Sequence, residues 1–140
     1  MEDAFDLDRF LEAQAGIFEQ AFEELRAGAK QSHWMWFVFP QMAGLGRSPT
    51  ARYFAIASSA EARAYLAHPL LGPRLRSAVE AVLPWAGRRS VEQIFGEIDA
   101  IKLKSSLTLF EAVSGDALFT QAIDGFFAGQ RDGRTLELIG

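Results

Sequence analysis

The chain has 140 residues, a net charge of -4 and no cysteine, and 49% of its residues are hydrophobic. This composition is typical of one globular domain, and it excludes a disulfide framework and thiolate chemistry. Two histidines are too few for the usual zinc ligand sets, and we predict neither a metal site nor a cofactor. The negative net charge argues against nucleic acid as a partner.

The first residues, MEDAFDLDRFLEAQ, are acidic and amphipathic rather than basic and continuously apolar. They lack the pattern of a secretory signal, and no apolar window is long enough to span a bilayer. We therefore expect a cytoplasmic protein without a membrane partner.

Apolar residues recur at helical spacing along most of the chain, whereas strand alternation and hairpin turns are scarce. This pattern predicts an all-α fold with a single domain over residues 1–140. We expect a compact arrangement of about seven to nine short helices around one or two buried central helices. The predicted helix caps, in chain order, are Asp6, Ser32, Ser48, Ser58 or Ser59, Ser90 and Asp116.

The segment between Lys30 and Ser48 reads KQSHWMWFVFPQMAGLGRS and is rich in aromatic residues. A short helix capped by Ser32 and running from His33 to about Val38 would place His33 and Trp36 on one side. An indole offers a flat face for a ring or cation, and histidine suits proton transfer near neutral pH. A structural role for both residues is the alternative.

The residues after Pro40 are polar and glycine-rich. Gln41 offers a donor and an acceptor, and Gly44 and Gly46 let the backbone approach a ligand closely. Ser48 then opens a helix whose first amides could hold an anion. The match to known phosphate loops is weak, so an ordinary loop and helix cap is the favoured alternative.

The strongest helical signal, IDAIKLKSSLTLFEAV, starts at Ile98. At about 100° per residue, Asp99, Lys102 and Ser106 fall on the apolar side of this helix. The opposite side is predicted to be solvated and carries Lys104, Thr108 and Glu111. Burying charged groups is costly unless they are paired, so Asp99 and Lys102 need partners or a cavity.

Two interpretations of this helix remain open. In the first, Asp99 and Lys102 form a structural ion pair that orients two helices. In the second they belong to a ligand site, where Asp99 is a base or an orienting acceptor and Lys102 is a fixed positive charge. Ser105 or Ser106 would then donate a hydroxyl. Arg74, in HPLLGPRL, could bind a carboxylate or phosphate or serve a surface role.

Three motifs resemble a known family: K-x-S-H-W-M-W-F-x-F-P-Q-x-x-G-L-G-x-S, H-P-x-L-G-P-R-L and I-D-x-x-K-x-x-S-S-L-T-L-F. From FDLDRFLEAQ to TLELIG the chain is similar to the uncharacterised bacterial family known as domain of unknown function 1810. The resemblance implies a compact multihelical fold with two central buried helices, and no established reaction. Its motif positions include Lys30, Ser32, His33, Trp34, Trp36, Gln41, Gly44, Gly46, Ser48, His68, Arg74, Asp99, Lys102, Ser105, Ser106 and Thr108.

The leading hypothesis is a pocket for a small anionic or nucleotide-like molecule between the helix from Ile98 and the Ser32 to Ser48 segment. The protein would be a metal-independent hydrolase or transferase, or a sensor; the alternative is a non-catalytic protein-interaction module. The predicted catalytic residues are His33, Asp99 and Lys102. The predicted ligand-binding residues are Lys30, Ser32, Trp36, Gln41, Gly44, Gly46, Ser48, Arg74, Ser105 and Ser106.

Overall fold

The computed structural model describes residues 3–139, and within this range it is all-α, as predicted. Its ten α-helices are α1 (Asp8–Gln14), α2 (Phe18–Arg26), α3 (Met35–Val38), α4 (Pro49–Tyr53), α5 (Ser59–Ala67), α6 (Leu71–Val82), α7 (Val91–Phe95), α8 (Glu97–Ser114), α9 (Ala117–Phe127) and α10 (Gly133–Ile139). A 3-10 turn, Leu83–Trp85, follows α6. No helix in residues 3–139 combines the length and apolarity needed to cross a bilayer.

The longest helix, α8, lies at the centre of the fold. It packs against α5, α7, α9 and α10. The next longest helix, α6, packs against α2, α5 and α9. The buried apolar side chains form one continuous cluster that includes Trp34, Tyr65 and Phe110. A Cβ atom at Gly72 would lie 2.0 Å from the carbonyl oxygen of Leu66, so the backbones of α5 and α6 touch there. Contacts with four other helices therefore fix the position of α8.

Most of the predicted helix starts are confirmed. The side chains of Ser48, Ser58, Ser90 and Asp116 accept hydrogen bonds from backbone amides of the helices that they precede. Such caps are readable from sequence because the acceptor and its amide lie within three residues of each other.

Two predicted caps are wrong. Asp6 adopts a φ of +52°, and Asp3 instead accepts the amide hydrogens of Leu7 and Asp8 at the start of α1. Ser32 does not cap α3, which begins only at Met35, because the Ser32 hydroxyl donates to the carboxylate of Glu24. In the first case the Asp3 carboxylate takes the amides that Asp6 was predicted to bind, and in the second the Glu24 carboxylate takes the Ser32 hydroxyl.

The predicted solvated face of α8 is also wrong at Thr108. This side chain is fully buried, and its hydroxyl donates to the Lys104 carbonyl and accepts from the Asp132 amide. On the same face, the carboxylate of Glu111 accepts a hydrogen bond of 2.6 Å from Nη2 of Arg131. The reason is tertiary, because α10 and the segment leading into it cover this side of α8.

A single arginine joins α1 to the irregular chain between α4 and α5. Arg9 is 8% exposed, and its guanidinium donates all five of its N–H groups. The acceptors are the carbonyls of Phe5, Asp6, Tyr53 and Ala55 and the carboxylate of Glu61, at 2.7 to 2.8 Å. Arg9 therefore supplies donors to the carbonyls of Phe5, Tyr53 and Ala55, and adds one to the carbonyl of Asp6, which also accepts the Arg9 amide.

Candidate functional site

A cleft of about 520 Å³ opens where the start of α8 faces the segment that leads into α3. Its floor is apolar, since the lining residues Met35 and Phe95 are almost completely buried. The walls carry the charged residues Lys30, Glu97, Asp99 and Lys102, together with His33, the half-buried Trp36 and the exposed Ile98. The cleft thus combines an apolar base with charged walls.

One carboxylate in the cleft is shared by two ammonium groups. The Nζ atom of Lys30 lies 2.9 Å from Oδ2 of Asp99, and Nζ of Lys102 lies 3.5 Å from Oδ1. The side chain of Lys30 is only 7% exposed and also donates to the Ser32 carbonyl at 2.5 Å. Lys102 is 23% exposed and has the looser contact. Lys30 is therefore a structural partner of Asp99, whereas Lys102 retains room for another acceptor.

Each of the two ammonium groups also lies near an indole. Lys30 Nζ is 4.9 Å from the ring centroid of Trp34, and Lys102 Nζ is 5.0 Å from that of Trp36. Trp34 is fully buried in the core, while Trp36 is half-buried and lines the cleft. Attraction to the negative ring face favours keeping both cations where they are.

The amino terminus of α8 lies in the same wall of the cleft. Its N-cap residue, Gly96, has no side chain to offer, and φ of +84° with ψ of +162° is backbone that glycine tolerates best. Within residues 3–139, no acceptor is bonded to the amides of Glu97, Ile98 and Asp99. These amides and the helix dipole together favour negative charge at this end.

The opposite wall of the cleft is held in place by Glu24, a residue that no local sequence pattern distinguishes from its neighbours. Its carboxylate on α2 accepts the amides of Gln31 and Ser32, the Ser32 hydroxyl and the Trp34 indole N–H, at 2.6 to 3.1 Å. Burial alone would raise the pKa of Glu24, but the hydrogen bonds from Ser32, Gln31 and Trp34 outweigh it and lower the pKa to about 2. Glu24 therefore stays ionised and fixes residues 31–34.

Five of the predicted site residues line this one cleft. They are Lys30, His33, Trp36, Asp99 and Lys102. His33 is exposed, and in the described part of the chain no hydrogen bond or ion pair joins it to Asp99. Asp99 contacts the two ammonium groups, which is the arrangement of an orienting acceptor rather than of a base paired with histidine.

The glycine-rich segment lies outside the cleft. A Cβ atom at Gly46 would be 2.5 Å from Cβ of Ala51, and Gly44, with φ of +102°, packs against Leu138 of α10. The carbonyl of Gln41 accepts the Ile56 amide at 2.8 Å, and Ser48 caps α4. Close packing between loops and helices accounts for both glycines, so only the first half of the segment faces α8 across the cleft.

The remaining predicted ligand-binding residues lie in other parts of the fold. Ser32 points its hydroxyl at Glu24, and the Ser105 hydroxyl donates to the Ile101 carbonyl within α8. Arg74 donates to the side chain of Gln14 at 3.2 Å and its guanidinium lies 5.6 Å from the Phe18 ring. None of these side chains lines the cleft.

Ser106 is fully buried, and among residues 3–139 its hydroxyl has no hydrogen-bond partner. An unsatisfied buried hydroxyl is costly, so we expect Ser106→Ala to raise the free energy of unfolding by about 1 kcal/mol. Urea unfolding measures this change, with Ser105→Ala as the control that removes a bonded hydroxyl. A loss of stability in Ser106→Ala would mean that an internal water satisfies the hydroxyl.

A slightly larger depression, about 580 Å³, lies between α2 and α6 but is a weaker candidate. Its arginines, Arg26 and Arg88, lie near aromatic rings as the two lysines of the α8 cleft do, but among the described ion pairs no carboxylate joins them. The α8 cleft instead holds a shared carboxylate and a helix terminus, and we take it as the candidate site.

Comparison with known proteins places the chain in a family without an assigned function. Residues 4–139 match the model of the family described as "Protein of unknown function (DUF1810)". The chain is 48% identical to the crystallised conserved hypothetical protein Rv1873 of Mycobacterium tuberculosis, with a TM-score of 0.95 and 98% of each chain covered. No curated protein matches. The chain belongs to the DUF1810 family.

Proposed function

We propose that the α8 cleft binds a small anionic molecule. The observation that carries this proposal is the position of Lys102, whose ammonium is only loosely paired with Asp99 and lines the cleft beside the amino terminus of α8. The side-chain charges of the lining cancel, because Lys30 and Lys102 are matched by Asp99 and Glu97. The open amides at the start of α8 add further positive potential, which favours an anion there.

Each cationic group has a distinct part in the proposed binding. Lys30 is buried and holds Asp99, and Asp99 in turn orients Lys102 towards the cleft. The Lys102 ammonium has three donors and makes no hydrogen bond to protein within residues 3–139, so it is the group that an incoming oxyanion would meet first. His33 lines the same cleft and would lie beside the bound molecule.

The proposal is tested by thermal unfolding of the protein with inorganic phosphate and with phenyl phosphate. A ligand that binds only the native state raises the melting temperature, by an amount that corresponds to about 2.7 kcal/mol at one hundred times its dissociation constant. We expect Lys102→Met to weaken binding about tenfold or more, because it removes the exposed charge. The unliganded variant should remain folded, since Lys102 is outside the core.

Lys104→Met is the matched control for this experiment. Lys104 lies on the same helix, carries the same charge and does not line the cleft, so its loss changes the net charge equally. Ligand shifts in Lys104→Met should therefore equal those of the unmodified protein. Equal shifts in Lys102→Met, or no shift with either anion in the unmodified protein, would contradict the proposal.

A further inference from the structure

We propose that the ligand of this cleft is an organic anion with an apolar body, such as an aryl or short acyl group, rather than a sugar phosphate. This inference rests on the anion site proposed above and concerns the part of the ligand that carries no charge. It follows from the chemistry of the lining side chains.

The lining of the cleft offers few groups that recognise hydroxyls. Its polar side chains are those of Lys30, His33, Glu97, Asp99 and Lys102. None of these side chains is a hydroxyl or a carboxamide, and both oxygens of Asp99 are already engaged by lysine. A sugar ring whose hydroxyls lie against Met35, Phe95 and Ile98 would lose water there without replacing those hydrogen bonds, which lowers affinity.

The cleft instead offers apolar contact next to its positive charge. Met35 and Phe95 form the floor, and the half-buried Trp36 lines one side. At the mouth, Ile98 is 72% exposed although it is large and apolar. Ile98 and Lys102 are four residues apart on α8 and therefore share a face. A molecule whose charged head reaches Lys102 would lay its body across Ile98.

The size of the cleft agrees with such a ligand. A volume of about 520 Å³ falls within the range of roughly 300–1,000 Å³ typical of small-molecule pockets. A bare inorganic anion would leave most of this space, including the exposed surface of Ile98 and Trp36, in contact with water. An aryl or acyl body would cover both side chains together, which favours binding through the hydrophobic effect.

The experiment compares the affinities of four probes by calorimetry: inorganic phosphate, phenyl phosphate, benzoate and glucose 6-phosphate. We expect phenyl phosphate to bind about tenfold more tightly than inorganic phosphate, since its ring covers apolar area of Ile98 and Trp36. Glucose 6-phosphate should bind no more tightly than inorganic phosphate. The ratio of benzoate to phenyl phosphate then shows whether the head is a carboxylate or a phosphate.

Two variants locate the apolar contact. Ile98→Ser should weaken phenyl phosphate by about threefold to tenfold and leave inorganic phosphate unchanged. Ile101→Ser is the control, because Ile101 is 66% exposed on the same helix but does not line the cleft, and it should change neither affinity. Glucose 6-phosphate binding as tightly as phenyl phosphate, or an unchanged phenyl phosphate affinity in Ile98→Ser, would overturn the inference while the anion site stands. Failure of all four probes to bind would overturn the anion site itself.

Discussion

Replacing Asp99 with asparagine should lower the free energy of unfolding by about 3 kcal/mol. The reason is Lys30, whose side chain is 7% exposed and whose only carboxylate partner is Asp99 among the described ion pairs. Without that negative charge, the buried ammonium keeps only the Ser32 carbonyl and the Trp34 ring. Urea unfolding at neutral pH, followed by far-UV circular dichroism, measures the loss.

A second substitution shows whether the stranded charge is the cause. In Lys30→Met/Asp99→Asn the buried ammonium is gone, so the double variant should be more stable than Asp99→Asn alone. Glu137→Gln serves as the exposed control: Glu137 pairs with Arg134, both side chains are more than half exposed, and the change should stay within about 0.5 kcal/mol. A loss below about 1 kcal/mol in Asp99→Asn would show that the pair contributes little.

The second large effect is expected at Glu24. A lowering of its pKa from 4.5 to about 2 corresponds to at most about 3 kcal/mol of stability at neutral pH, and solvent screening of this partly exposed carboxylate reduces the expected contribution to about 2 kcal/mol. Glu24→Gln should remove most of this contribution, because an amide oxygen accepts more weakly and the amide nitrogen faces donors. Urea unfolding at pH 7 measures the difference from the unmodified protein. Neighbouring Glu23, exposed and paired with Arg26, provides the control Glu23→Gln, which should have almost no effect.

The same variant has a defined dependence on pH. The folded pKa of Glu24 lies below the unfolded one, so its contribution is complete above about pH 4.5 and is lost as the pH falls through about 2. The stability difference between the unmodified protein and Glu24→Gln should therefore shrink steadily across this window. Taking the difference cancels the other carboxylates with lowered pKa values, Asp3, Glu111 and Asp116. A difference that stays constant from pH 7 to pH 2 would refute the assigned role of Glu24.

The fold was predictable where its causes are local. Ser48, Ser58 and Ser90 cap the helices that follow them, because a cap needs only a hydroxyl and an amide close together in the chain. The errors at Ser32 and Thr108 arose where a distant segment intervened, whereas at Asp6 the nearby Asp3 caps α1 instead. Thr108 has the spacing of a solvated residue, and only the packing of α10 buries it.

The candidate site was predictable to a similar extent. Charged residues on the inner side of α8 identified Asp99 and Lys102, and the aromatic segment identified His33 and Trp36. Glu24 was missed because nothing in the sequence of α2 distinguishes it from Glu23. Only the fold brings residues 31–34 to the Glu24 carboxylate. The apolar lining residues Met35, Phe95 and Ile98 were missed because each resembles an ordinary core residue until the fold opens a cleft beside it.

The five-donor arrangement of Arg9 has a consequence for how variation in this fold is interpreted. A lysine at this position would keep the charge, but its three donors cannot reach four carbonyls and a carboxylate spread over two segments of chain. Even the mildest replacement would leave buried oxygens without partners. If relatives all carried arginine at this position, the cause would be these structural hydrogen bonds and not ligand binding. An invariant residue in this fold is therefore not by itself a sign of a ligand site.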